Sequence, residues 1–185
     1  NHSVISIGNI TWSSDGGFDG FSAYSFNGLN SGLNVSYSAG LNITDEITIE
    51  AWVYVNSYSN YDLIIGKPIG KGTSSPYIEY ALGLGNSNNY LFSLTAEGTT
   101  SRSSVFSSPN SVTVGTWQHV VGRWNSSIME IYIDGQQSGS SVAFSGPIQN
   151  GNEDIMIAHT YVGTNYHFNG KFANFINDSL FFKIR

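Results

Sequence analysis

The chain has 185 residues, only 11% of them charged, a formal net charge of −6 and no cysteine. There is no basic surplus to neutralise phosphates, which excludes nucleic-acid binding by charge, and no apolar run reaches the ~18 residues of a membrane span. Without cysteine there are no disulfides, no thiolate catalysis and no Cys-ligated zinc.

Strand periodicity dominates from the start. Residues 1–12 carry Val4, Ile5, Ile7, Ile10 and Trp12, a strand-like stretch that ends in the turn cluster SSDGGFDG. Strands are expected at 21–27 and 33–37, with a single helical turn at Ser38 to Leu41. Residues 45–55 alternate strictly. Ile47, Ile49, Ala51, Val53 and Val55 point one way, and Glu46, Thr48, Glu50, Trp52 and Tyr54 the other. One face is thus buried, and the second carries an aromatic patch. Strand 62–66 follows, then a Gly-, Ser- and Pro-rich stretch from Gly66 to Pro76 that reads as a mobile loop. Strands 77–84, 90–95, 103–106 and 117–124 come next. Residues 128–133 alternate again and run into Asp134-Gly135, a hairpin signal because both turn residues tolerate positive φ. Strands 141–144, 154–158, 166–168 and 171–176 complete the series, and residues 180–185, LFFKIR, form a last apolar strand. Short strands with turn residues at intervals of about 8–12 positions describe an all-β antiparallel sandwich. No composition break divides the chain, so residues 1–185 read as one domain. The apolar ends, 1–12 and 180–185, are edge strands or strands exchanged with a neighbouring copy.

Hydration rests on 28 Ser, 11 Thr, 19 Asn and 21 Gly rather than on ions. That suits an extracellular or cell-surface setting, and an opening on Asn1 without Met suits a processed or excised product. Six Asn-x-Ser/Thr sequons, at Asn1, Asn9, Asn34, Asn42, Asn125 and Asn177, allow glycosylation.

Five blocks in order resemble the laminin-G-like, concanavalin A-like jelly-roll family. They are residues 24–28 (YSFNG), 41–53 (LNITDEITIEAWV), 80–84 (YALGL), the pair 115–121 (GTWQHVV) and 131–135 (IYIDG), and 168–174 (FNGKFAN). The resemblance implies two antiparallel sheets packed face to face as a jelly roll, and a non-enzymatic extracellular module that binds glycans or proteins or serves in adhesion. Family members place an Asp in the closing segment to help hold a structural calcium ion. Here Ala173 and Asn174 stand there, which leaves Asn27, Asn30 and Asp178 as candidate oxygen ligands.

Sugar recognition draws on rings for stacking and amides for hydroxyls. Three loops offer both: Tyr58 and Tyr61; Asn88, Asn89 and Tyr90; and Tyr161, Asn165 and Tyr166. Each also reads as an ordinary turn. Trp52, Trp117 and Trp124 read as packing residues. The glucanases of the same superfold carry Glu-x-Asp-x-Glu on a strand. Here Glu46-x-Thr48-x-Glu50 keeps the two carboxylates and lacks the middle Asp, so a hydrolase ranks below a binding module. His2, His119, His159 and His167 sit at no metal-binding spacing. A structural subunit of a surface filament or layer, built from copies joined by terminal strands, is the alternative to a glycan- or protein-binding module. Edges poor in Lys and Glu leave strand pairing unblocked.

Overall fold

The computed structural model describes residues 3–70, 77–161, 166–173 and 183–184. The described chain forms two antiparallel sheets. The first runs β1 (Val4–Ile7), β4 (Gly32–Val35), β14 (Ile155–Ile157), β6 (Leu63–Pro68), β7 (Ile78–Leu84), β8 (Tyr90–Thr95) and β9 (Arg102–Phe106). The second runs β12 (Gln136–Gln137), β11 (Ile128–Ile133), β10 (Trp117–Trp124), β5 (Ile47–Val55), β15 (Asn169–Ala173), β3 (Ala23–Asn27) and β2 (Thr11–Ser13), with β13 (Val142–Ala143) on β11 and β16 (Lys183–Ile184) on β5.

β5 is the axis of the second sheet. Its five inward residues, Ile47, Ile49, Ala51, Val53 and Val55, are fully buried, as strict alternation requires. Tyr80, Leu82, Leu84, Tyr90, Phe92 and Leu94 face them from the first sheet. The layers interlock where β10 lacks a side chain: a Cβ on Gly122 would sit 2.6 Å from the Phe92 ring, so glycine there lets the ring close on the backbone. The outward face of β5 carries the expected aromatic patch. Phe18, in a 3-10 turn at Phe18–Gly20, stacks on Trp52 at 3.6 Å, and Trp117 meets Tyr54 edge-on at 5.4 Å. Trp124 is core, its indole N–H donating to the Phe144 carbonyl at 3.1 Å. Asp134 and Gly135 form the hairpin turn with φ of 51° and 79°.

Several expectations shift. Lys67 and Pro68 belong to β6 rather than to the following loop, because a bulge opposite them turns Glu79 inward against Lys67. Residues 71–76 lie outside the described residues. Residues 166–168 form no strand of their own: the Phe168 N–H bonds to the Ala158 carbonyl and its ring drops into the core, leading the chain into β15. The described part of 1–12 divides between the layers, β1 pairing with β4 and β2 with β3, and β16 pairs with β5. The described end strands therefore close on their own sandwich.

Candidate functional site

The outer face of the first sheet holds a groove of about 370 Å³. Its floor follows from strand parity. Residues of β6, β7, β8 and β14 that alternate with the core ones point out, namely Leu63, Ala81, Gly83, Leu91, Ser93 and Met156. Leu63, Ala81 and Met156 pack with Ile78 into an apolar cluster separate from the main core. Small residues along the middle of β7 make the floor a trough. Four tyrosines stand on its rim, Tyr61, Tyr77, Tyr161 and Tyr166, each 36–45% exposed. Tyr61 and Tyr77 both have φ of 66°, a left-handed turn at each end of the β6–β7 pair. Rings that keep one face wet over an apolar floor match what a sugar presents, an apolar face edged by hydroxyls.

One acidic and one basic residue line the groove among the described residues, Asp62 and Arg102. Asp62 is 2% exposed. Burial pushes its carboxyl up to about 7, partly offset by a hydrogen bond from Ser59. Because the folded value lies above the unfolded one, the protonated form favours folding. The contribution is full below the ordinary value of 3.8 and is lost as pH rises towards 7. Asp62→Asn is therefore expected to gain on the order of 1–2 kcal/mol over the parent at pH 8, and little at pH 4. Urea unfolding at the two pH values checks this; a gap that does not change with pH refutes it.

Of the tyrosines and amides expected to bind, Tyr61, Tyr161 and Tyr166 come together on this rim. The other described ones are committed to the fold. Tyr58 donates to the Gly85 carbonyl at 2.8 Å and accepts from the Asn88 N–H at 2.9 Å, latching two loops. Asn88 donates to the Val112 carbonyl. Asn89 is buried, donating to the Ser107 carbonyl at 3.2 Å. Tyr90 is wholly in the core, its hydroxyl on Gln118 Oε1 at 3.0 Å, so it has no face to offer a ligand. Asn165 lies outside the described residues. Asp62, the last residue of the loop expected to bind through Tyr58 and Tyr61, also lines the groove, and Tyr77 and Arg102 complete the site without having been singled out as binding residues. The signal for them was parity: Ala81 and Gly83 alternate with Tyr80, Leu82 and Leu84, which marks a shallow outer face.

The sequence profile described as concanavalin A-like lectin/glucanases superfamily, Laminin_G_3, matches residues 27–176. The chain belongs to this superfamily. Solved structures with the same fold include the binding domain of Paraclostridial Mosquitocidal Protein 1, at 15% identity and a TM-score of 0.66, covering 96% of this chain and 45% of that one. Domain 4 of AbnA, a GH43 extracellular arabinanase from Geobacillus stearothermophilus, solved with arabinotriose, matches at 14% identity and 0.64, covering 93% and 82%. The receptor binding domain of botulinum neurotoxin mosaic serotype C/D matches at 12% identity and 0.68, covering 100% and 42%. The chain thus spans under half the length of the two toxin domains. No curated protein sequence matches it significantly.

Two features of the concanavalin A-like superfamily bear on the remaining residues. The glucanase-like carboxylates do not face the groove. Glu46 and Glu50 lie at and before β5 in the opposite sheet, Glu46 accepting from the Ser126 hydroxyl at 3.3 Å and Glu50 standing 3.7 Å from His119 Nε2. The turn expected to help hold calcium is closed on itself. Asn27 Oδ1 accepts from the N–H groups of Leu29, Asn30 and Ser31 and from the Ser31 hydroxyl, and its Nδ2 donates to Asn30 Oδ1 at 2.8 Å. A cation at Asn27 would have to displace these donors. Asp178 lies outside the described residues, and those described contain no cluster of three His, Asp or Glu able to hold a metal. Among the sequons, Asn9 is exposed. Asn34 Oδ1 meets His159 Nε2 at 2.7 Å, Asn42 donates to the Tyr37 hydroxyl, and Asn125 caps the turn to Ile128. Asn1 and Asn177 fall outside the described residues.

Proposed function

We propose that the protein is a non-catalytic, extracellular carbohydrate-binding module that lays a short chain of sugars along the groove of the first sheet. The observation that carries this reading is the rim of four half-exposed tyrosines over a floor of Ala81, Gly83, Leu63, Leu91 and Met156. The seven residues of β7 set the groove's length at about 20 Å, which suits an oligosaccharide rather than one sugar. The arabinotriose bound to AbnA domain 4, a domain of the same fold and similar length, supports the reading. So does a surface hydrated by uncharged groups, which tolerates changing ionic conditions outside a cell. No described helix is long and apolar enough to cross a membrane. A filament joined by exchanged end strands has less behind it, since β1, β2 and β16 all pair within one sandwich.

Glycan-array binding followed by calorimetry with arabinotriose and the array's strongest hits tests the reading. Tyr61→Ala with Tyr161→Ala is expected to weaken the bound glycan about tenfold or more, each ring removing a stacking surface. An array without hits on the folded protein, or a double variant that binds as the parent does, refutes it.

A further inference from the structure

The groove is electrically lopsided. Asp62 closes one end: its carbonyl accepts the Leu84 N–H, where β7 finishes. Arg102 stands at the opposite end and two strands over. It pairs in register with Thr95, whose hydroxyl donates to the carbonyl of Ile78, where β7 begins. Among the described residues no carboxylate lies within ion-pair distance of the Arg102 guanidinium; the close pairs are Lys67 with Glu79 and His119 with Glu50. Glu97, in the turn that joins β8 to β9, makes no such pair with it, and Glu153 and Asp154 flank Tyr161 on the β14 side. β14 and β9 are separated by β6, β7 and β8, about 19 Å at the usual strand spacing. Among the described residues the groove's one lining cation thus stands at one corner, and acidic groups stand across from it.

We propose that the groove selects an oligosaccharide carrying a single carboxylate, placed with its acidic sugar at Arg102 and its neutral sugars over the tyrosines towards Asp62. This rests on the carbohydrate-binding reading above and deepens it. A guanidinium meets a carboxylate through two parallel N–H donors, which fixes both charge and orientation. Asp62, nine-tenths buried and without a cation, suits the hydroxyls of a neutral sugar, and a second carboxylate beside it is disfavoured. The polarity also fixes the direction in which the chain of sugars lies.

The test is an array of matched trisaccharides in three forms: neutral, with one uronic acid at one terminus, and with all three rings uronic. The parent protein is expected to prefer the singly acidic form over the neutral one by about tenfold, and the fully acidic form is expected to fall behind the singly acidic one. Arg102→Lys should keep part of the preference, and Arg102→Glu should bring the ratio of acidic to neutral binding below one. Thermal unfolding confirms that both variants are folded. Equal binding of neutral and singly acidic forms overturns the inference and leaves the glycan reading standing. A preference that survives Arg102→Glu, or strongest binding to the fully acidic form, also overturns it. No binding to any form sinks the carbohydrate reading and the inference with it.

Discussion

Lys67→Met is expected to remove about 3–5 kcal/mol of stability, a large share of the 5–15 kcal/mol typical of a whole domain. Lys67 and Glu79 are 0% and 1% exposed, with Nζ 2.8 Å from Oε2. The ammonium also donates to the Gly151 carbonyl at 2.7 Å and to Asn42 Oδ1. It is therefore held on three sides, and taking it away leaves a buried carboxylate without its cation. Burial already pushes the Glu79 carboxyl above its ordinary value despite the neighbouring ammonium. Desolvation thus outweighs the pull of the pair, as expected for ions inside a protein. The double variant Lys67→Met with Glu79→Met should recover most of the loss, because it replaces both charges with apolar groups of similar length. The single variant should also lose less in acid, where Glu79 takes up a proton. Urea midpoints for the two variants at pH 5 and pH 8 decide the matter. A single variant that costs under about 1 kcal/mol, or a double variant as weak as the single, contradicts this account.

Ala81→Trp is expected to abolish glycan binding, by more than about 100-fold, while leaving the sandwich folded. Ala81 is 6% exposed and sits mid-groove on β7, opposite Gly66 on one side and Ser93 on the other. Its Cβ points out of the sheet, so an indole there grows into the groove rather than into the core. A volume of about 370 Å³ leaves no room for both a tryptophan and a row of sugar rings. Tight contacts with the neighbouring floor residues should cost about 1–2 kcal/mol at most. Calorimetry on the strongest array hit reads the first effect and thermal unfolding the second. Retained affinity in a folded Ala81→Trp protein would move the ligand to another surface.

The sandwich was legible because β5 alternates cleanly and β11 runs into a turn signal. Ile47 to Val55 buries every second residue, and Asp134-Gly135 follows Ile133 as a two-residue turn. The groove was harder to read for a physical reason. In β8 all six residues are buried, the apolar face holding Tyr90, Phe92 and Leu94 and the groove face Leu91, Ser93 and Thr95. Alternation alone then gives no inside or outside, and Tyr90 reads like Tyr61 although one is core and the other rim. Tyr77 and Arg102 belong to the same groove as Tyr161 only because β6 to β9 stand next to β14. That neighbourhood is set by pairing between distant segments, not by local pattern. The bulge at Glu79 hid the Lys67 pair in the same way. It reverses the facing of one residue and pulls a charge inward that strict alternation would have put in the groove.

β5 is bonded on one side by β10 and on the other by β15 and β16, so Ile49 lies beside both Gly122 and Ile184. The middle strand of the nine-stranded sheet cannot find its full set of partners until almost the whole chain is available. Contacts this far apart in sequence put the loop-closure entropy first and its reward last, which makes for folding in milliseconds to seconds rather than microseconds. During synthesis, the stretch around Ile47–Val55 would emerge as an apolar ribbon with no mate and wait for its C-terminal neighbours.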